Sequence, residues 1–159
     1  MEGFVSYLLK EKGRQVYTIS AGASVRAAVR EMNDKGVGAL IVMRHDEPVG
    51  IFTERDVLRR VVDAGRDPDT TRVADVMTTD LIVVEPSTRV EEAMAIMTQH
   101  RCRHLPVIEQ GRLVGLISIG DVTRWASRNQ EAVIRSYKEY VLGMAEQPDW
   151  SEPPTVTGP

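Results

Sequence analysis

The chain has 159 residues, 42% of them hydrophobic, and a formal net charge of −3. That size and composition suit one compact domain or two small subdomains sharing a core, and the acidic balance speaks against a molecule-wide attraction to nucleic acid. Its one cysteine, Cys102, can form neither an internal disulfide nor a paired-cysteine metal site. No apolar run reaches the about 18 residues that span a bilayer, so the expectation is a cytoplasmic protein with no membrane or nucleic-acid partner.

Residues 1–15 read as a helical flank, with an amphipathic helix over Phe4–Lys12 and a solvated charged end at Lys10–Arg14. Beyond it the chain repeats itself. Shifted by 65 residues, Val16–Val62 lies over Leu81–Ser127 without a gap, so that Val25 meets Val90, Met32 meets Met97, Val49-Gly50 meets Val114-Gly115 and Asp56 meets Asp121. Repeat 1 (16–65) opens with a short β run, Val16–Ile19. A helix follows, capped by Ser24, carrying Val25, Ala28, Val29 and Met32 on one face and stopped by Gly36. Strands Ala39–Met43 and Val49–Thr53 flank a turn at His45–Pro48, and a second helix comes next.

Arg66–Arg72, with Asp67-Pro68-Asp69, opens the linker region 66–80. Repeat 2 (81–128) has a β run at Ile82–Val84 and a helix with the capping-box form Thr88-x-x-Glu91, with Val90, Ala93, Met94 and Met97 as its apolar face. Strands Leu105–Ile108 and Leu113–Ser118 surround Glu109-Gln110-Gly111, and a second helix closes the repeat. Residues 129–146 predict a C-terminal helix with a stripe of Val133, Ile134, Tyr137, Tyr140 and Val141, and 147–159 a tail without fixed structure, although Trp150 could dock. The class is α+β: two β-α-β-β-α repeats packed about a pseudo-twofold axis.

Each repeat ends in Gly-h-h-[ST]-x-x-Asp, as Gly50-Ile51-Phe52-Thr53-Glu54-Arg55-Asp56 and Gly115-Leu116-Ile117-Ser118-Ile119-Gly120-Asp121. With Gly36–Leu40, Val73–Thr78 and Arg103–Val107, this resembles the pair of CBS (cystathionine-β-synthase) domains over about Val16–Ser127, and the whole is similar to stand-alone bacterial two-CBS proteins. The resemblance implies uptake of AMP, ADP, ATP or NAD, with S-adenosylmethionine behind them, in clefts between the repeats, and a disc-shaped homodimer. It also implies that each cleft mixes the two repeats. Thr53, Arg55 and Asp56 would face Ile82, Val83, Arg103, His104 and Pro106 in a first cleft, and Ser118, Gly120 and Asp121 would face Thr18, Gly38, Ala39 and Leu40 in a second.

The residue chemistry suits such a ligand. Thr53 and Ser118 stand where a strand gives way to a helix, whose unpaired N–H groups and dipole favour phosphate. Asp56 and Asp121, three residues on, can accept from ribose hydroxyls, and the strand segments at Tyr17–Ile19 and Ile82-Val83 offer an adenine slot. Arg55, Arg103 and His104 make the first cleft the more cationic, with stronger response to added phosphates, where Gly120 leaves the second roomier. The bland reading is that [ST]-x-x-Asp is a helix cap. His45 and His100 read as solvated, the three histidines lack metal-site spacing, and Cys102, Trp125 and the tyrosine stripe read first as packing. No Walker-type loop or acidic cluster supports catalysis. The leading reading is therefore a non-enzymatic adenine-nucleotide sensor acting through conformation or an unidentified protein partner; the alternative is a ligand-free dimeric scaffold.

Overall fold

A computed structural model describes residues 3–142, without the side chains of 132, 133 and 135–142. The chain divides into two compact units, Met1–Val122 and Thr123–Pro159. In the first, helix α1 (Val5–Lys12) precedes strand β1 (Thr18–Ser20), helix α2 (Val25–Lys35), strands β2 (Ala39–Arg44) and β3 (Glu47–Thr53) and the short helix α3 (Glu54–Asp56). A π-helical segment, Val57–Val62, continues α3, and a 3-10 turn spans Val73–Asp75. Helix α4 (Val90–Gln99) and strands β4 (His104–Glu109) and β5 (Arg112–Ser118) follow, and helix α5 (Ile119–Leu142) carries the chain into the second unit. Val133, Tyr137, Tyr140 and Val141 of the expected stripe, Trp150 and the tail 147–159 lie outside the described residues or side chains; Ile134 is exposed.

The mixed α+β architecture holds, and its local causes are visible. Ser24 Oγ accepts from the Ala27 N–H and caps α2, while Gly36, at φ 63°, ends it in the left-handed conformation glycine adopts without strain. Both hairpins close on two residues of positive φ, His45-Asp46 and Gln110-Gly111, tighter than the turns expected. Such turns match the twist of the flanking strands. The two hairpins also carry a register shift at the same place, Val42/Met43 and Val107/Ile108.

The repeats differ where proline intervenes. β1 pairs parallel with β2, anchored by Ile41 N–H to Tyr17 O and Ala21 N–H to Met43 O. At the matching positions repeat 2 has Pro106 and Pro86, which lack both N–H donors. The strand expected at Ile82–Val84 is accordingly reduced to one bridge, Val84 to Val107. The expected Thr88 capping box also fails to form: Arg89 is the N-cap residue of α4, and the Thr88 hydroxyl accepts from the Glu85 N–H instead.

The first unit is held by buried residues of repeat 2 such as Val90, Met97, Leu105 and Ile117 and by two clusters that involve repeat 1. One surrounds Phe52 and Leu40, with α2, the π-helical segment and Val73–Met77 packed on the inner face of the β1-β2-β3 sheet. The other joins the repeats: Ala39, Ile41 and Ile51 on the opposite face meet Leu113 and Leu116 of β5. The lead-in segments cross over. α1 packs with repeat 2, where Phe4 bridges to Arg89 and Val90 N–H donates to Gly3 O, while the linker pairs with repeat 1 through Ile51 and Thr78.

Candidate functional site

The two [ST]-x-x-Asp motifs form the same set of hydrogen bonds. Asp56 Oδ2 accepts from the Thr53 N–H at 2.9 Å and the Thr53 hydroxyl at 3.1 Å; Asp121 Oδ2 accepts from the Ser118 N–H at 2.8 Å and the Ser118 hydroxyl at 2.9 Å. The capping role is therefore real in both repeats, and a binding role must rest on what surrounds the caps.

Around Asp56 there is a cavity of about 300 Å³. Its apolar wall comes from Ile51, Leu81, Ile82 and Pro106, and its cationic side from Arg55, Arg59, Arg60, Arg101 and Arg103. Glu54, Thr78, Asp80, His100, Cys102 and His104 complete the lining. Asp56 itself is only 5% exposed. Its Oδ1 accepts from the Thr78 hydroxyl at 3.0 Å and faces Arg60 Nε at 3.6 Å, so it forms the floor of the cavity and does not project into it. A carboxylate offers about four acceptor sites, and three hydrogen bonds occupy them here. Arg60 also donates to Met77 O at 2.6 Å, and Arg55 donates to Arg101 O, which ties the π-helical segment and α3 to the opposite wall.

The second motif has a different occupant. Lys12 Nζ donates to Asp121 Oδ2 at 2.6 Å and to Leu116 O at 2.9 Å. The expectation of a solvated Lys10–Arg14 end is thus corrected at Lys12, because α1 docks on β5. Burial alone would raise the Asp121 carboxyl, but the Lys12 ammonium and the Ser118 donors hold it below the usual carboxylate value. His104 senses both motifs. Burial lowers its pKa, and Lys12 and Arg103 push the same way against Glu54 and Asp121. Burial likewise pushes the Cys102 thiol up, against the pull of Arg55.

Of the residues assigned to the first cleft, Thr53, Arg55, Asp56, Ile82, Arg103, His104 and Pro106 meet around this cavity, and Val83 is turned outward, 45% exposed. The second set does not gather in the same way. Gly38 lines the Asp56 cavity, Thr18 is exposed, and Ala39 and Leu40 are core, leaving Ser118, Gly120 and Asp121 at one strand–helix junction. Thr78 and Asp80 were missed because they lie in the linker. Lys12 was missed because its partner is distant in sequence. A signal for both existed in Val5-x-x-Leu8-Leu9 and Val73-x-x-Val76-Met77, a shared lead-in pattern whose last apolar residue sits against the motif glycine of the other repeat.

Two repeats of this form, with a cleft at the strand–helix junction, define a CBS-type regulatory module. The CBS domain profile matches residues 13–63 and 73–128, and the chain belongs to the CBS domain family. It is 36% identical over 148 residues to the mitochondrial CBS domain-containing protein CBSX3 of Arabidopsis thaliana, covering 87% of this chain and 72% of that protein. A solved structure from Burkholderia ambifaria, described as a signal-transduction protein with CBS domains, matches at TM-score 0.74 and 39% identity over 92% of this chain and 98% of that one. A hexameric CBS-CP12 protein from bloom-forming cyanobacteria matches at TM-score 0.69 and 34% identity over 77% and 67%. CBS-domain proteins are generally regulatory modules that bind adenosine-containing ligands. Among the described residues no helix is long and apolar enough to cross a membrane.

Proposed function

We propose that the protein is a non-catalytic adenine-nucleotide sensor whose working site is the Asp56 cleft, taking AMP, ADP, ATP or NAD and favouring the forms richest in phosphate. The observation that carries this reading is the cavity itself, an apolar slot for a planar base beside a group of arginines. Among the described residues Arg59, Arg101 and Arg103 have no ion-pair partner, so their charge is available to a ligand. The ribose would exchange with the Thr78 hydroxyl at Asp56, one hydroxyl donor to the carboxylate replacing another, so the exchange costs little. Two further phosphate–arginine contacts at about 0.7 kcal/mol each make ATP bind about tenfold tighter than AMP. The ligand bridges the repeats and acts by favouring one arrangement over another. A cytoplasmic setting, where these nucleotides are abundant, fits this reading.

Isothermal titration of nucleotide-free protein with AMP, ATP, NAD and S-adenosylmethionine tests it. Binding with ATP ahead of AMP, lost in Asp56→Asn and narrowed in Arg103→Ala, is the expected result. Equal affinities for ATP and AMP would overturn the phosphate preference. Silence with all four would favour the second reading, a ligand-free dimeric scaffold. That alternative is supported by Leu58 and Val62, 63% and 66% exposed and one turn apart on the π-helical segment, an arrangement suited to a protein interface.

A further inference from the structure

The two motifs share their geometry but not their neighbours. In the first, Asp56 is met by the hydroxyl of Thr78 at 3.0 Å, with Arg60 Nε farther off at 3.6 Å. In the second, Asp121 is met by the ammonium of Lys12 at 2.6 Å, with the lysine side chain 30% and the aspartate 11% exposed. At 2.6 Å and with both partners charged, the Lys12 bond is stronger than the hydroxyl bond at Asp56.

Lys12 is also held from behind. It is the last residue of α1, whose start is fixed by Val5 N–H to Thr88 O and Ser6 N–H to Pro86 O, each at 2.9 Å. Leu9, one turn earlier, lies so close to β5 that a Cβ on Gly115 would come within 2.5 Å of it. The second bond, to Leu116 O, fixes the ammonium further. A ribose approaching Asp121 would have to break both bonds of a lysine that its helix returns to the same spot.

Resting on the reading that the clefts bind nucleotide, we propose that Lys12 is a built-in occupant of the second cleft. Each chain then takes up one nucleotide, at Asp56, and Lys12 sets that stoichiometry. Lys12 also belongs to the segment leading into repeat 1, so the lead-in to one repeat closes the cleft of the other.

Titration with AMP and ATP, read as sites per chain, tests this. The wild type is expected to bind one, Lys12→Ala two, and Lys12→Ala/Asp121→Asn one again; Lys12→Gln, which keeps length without charge, is the second opening variant. Melting followed by circular dichroism verifies that each variant is folded. One site in the wild type and one in both folded Lys12 variants would overturn the proposal and leave the nucleotide reading intact. Two sites in the wild type would also overturn it, and a drop to one in Lys12→Ala would make Lys12 a phosphate ligand. No binding by any protein would sink the nucleotide reading and this proposal together.

Discussion

Asp56 is the one buried charged side chain among the described residues, held by two donors from Thr53, one from Thr78, and Arg60. Asp56→Ala removes the N3 half of the capping box with Thr53 and three hydrogen bonds to a charge, and should lower stability by about 2–3 kcal/mol. Asp56→Asn keeps a carbonyl oxygen and should lose less, with urea midpoints giving the order. His104 supplies a pH dependence. Its folded pKa lies below the ordinary value of about 6.5, so between those two values the unfolded chain binds more protons and stability rises with pH. The contribution is complete above about pH 6.5 and fades as pH falls toward the folded value. His104→Gln should flatten the slope of urea midpoint against pH across that window. Lys12→Ala, by removing a cationic neighbour, should raise the His104 pKa read by NMR; an unmoved pKa would mean that Lys12 does not sit beside the cleft in solution.

At the scale of elements, the glycines of the two motifs make different demands. A Cβ on Gly50 would meet Met77 Sδ at 2.7 Å and the carbonyl oxygen of Thr78 at 2.8 Å, and that oxygen is fixed in a bridge with Ile51. For a Cβ on Gly115 the nearest atoms all belong to the side chain of Leu9. Gly50→Ala should therefore cost about 2–3 kcal/mol and Gly115→Ala about 1, since a leucine can rotate where backbone cannot. Equal losses in denaturation would show α1 to be as rigidly seated as the linker. The same contrast explains what the sequence could express. The repeats, the Ser24 cap, the Gly36 stop and both hairpins follow from local residue choices, and seven of the eight first-cleft residues follow from motif and resemblance. The lead-in segments share a pattern, Val5-x-x-Leu8-Leu9 and Val73-x-x-Val76-Met77, but which repeat each docks on depends on contacts across the whole chain, which local pattern does not encode. The lost strand at Ile82–Val84 was written in Pro86 and Pro106, but only the pairing of β1 with β2 shows which N–H groups matter. Thr88 carried a cap signal in its sequence; its hydroxyl went to the nearer turn N–H of Glu85.

Over the whole molecule the net charge is −3, while the one cavity described here gathers five arginines against Glu54, Asp56 and Asp80. Long-range attraction of an anionic ligand is therefore weak, and its recognition is local, within the cleft. Because Ile51, Thr53 and Asp56 come from repeat 1 and Arg101, Arg103 and Pro106 from repeat 2, a nucleotide bound in this cavity, as proposed, would join the repeats and stabilise them as one body. At a concentration about 100-fold above Kd, one site adds about 2.7 kcal/mol to the folded state, which for a unit of this size raises Tm by about 5–10 °C. At equal concentrations, ATP should raise Tm further than AMP by about 3–5 °C, the equivalent of its tenfold tighter binding. The gap should shrink in 1 M NaCl, where charges are screened beyond about 3 Å, while the part due to base stacking and ribose persists. Scanning fluorimetry with both nucleotides at low and high salt reads the two parts separately. A gap that survives 1 M salt would mean that ATP is preferred by shape, with the arginines serving to brace the walls.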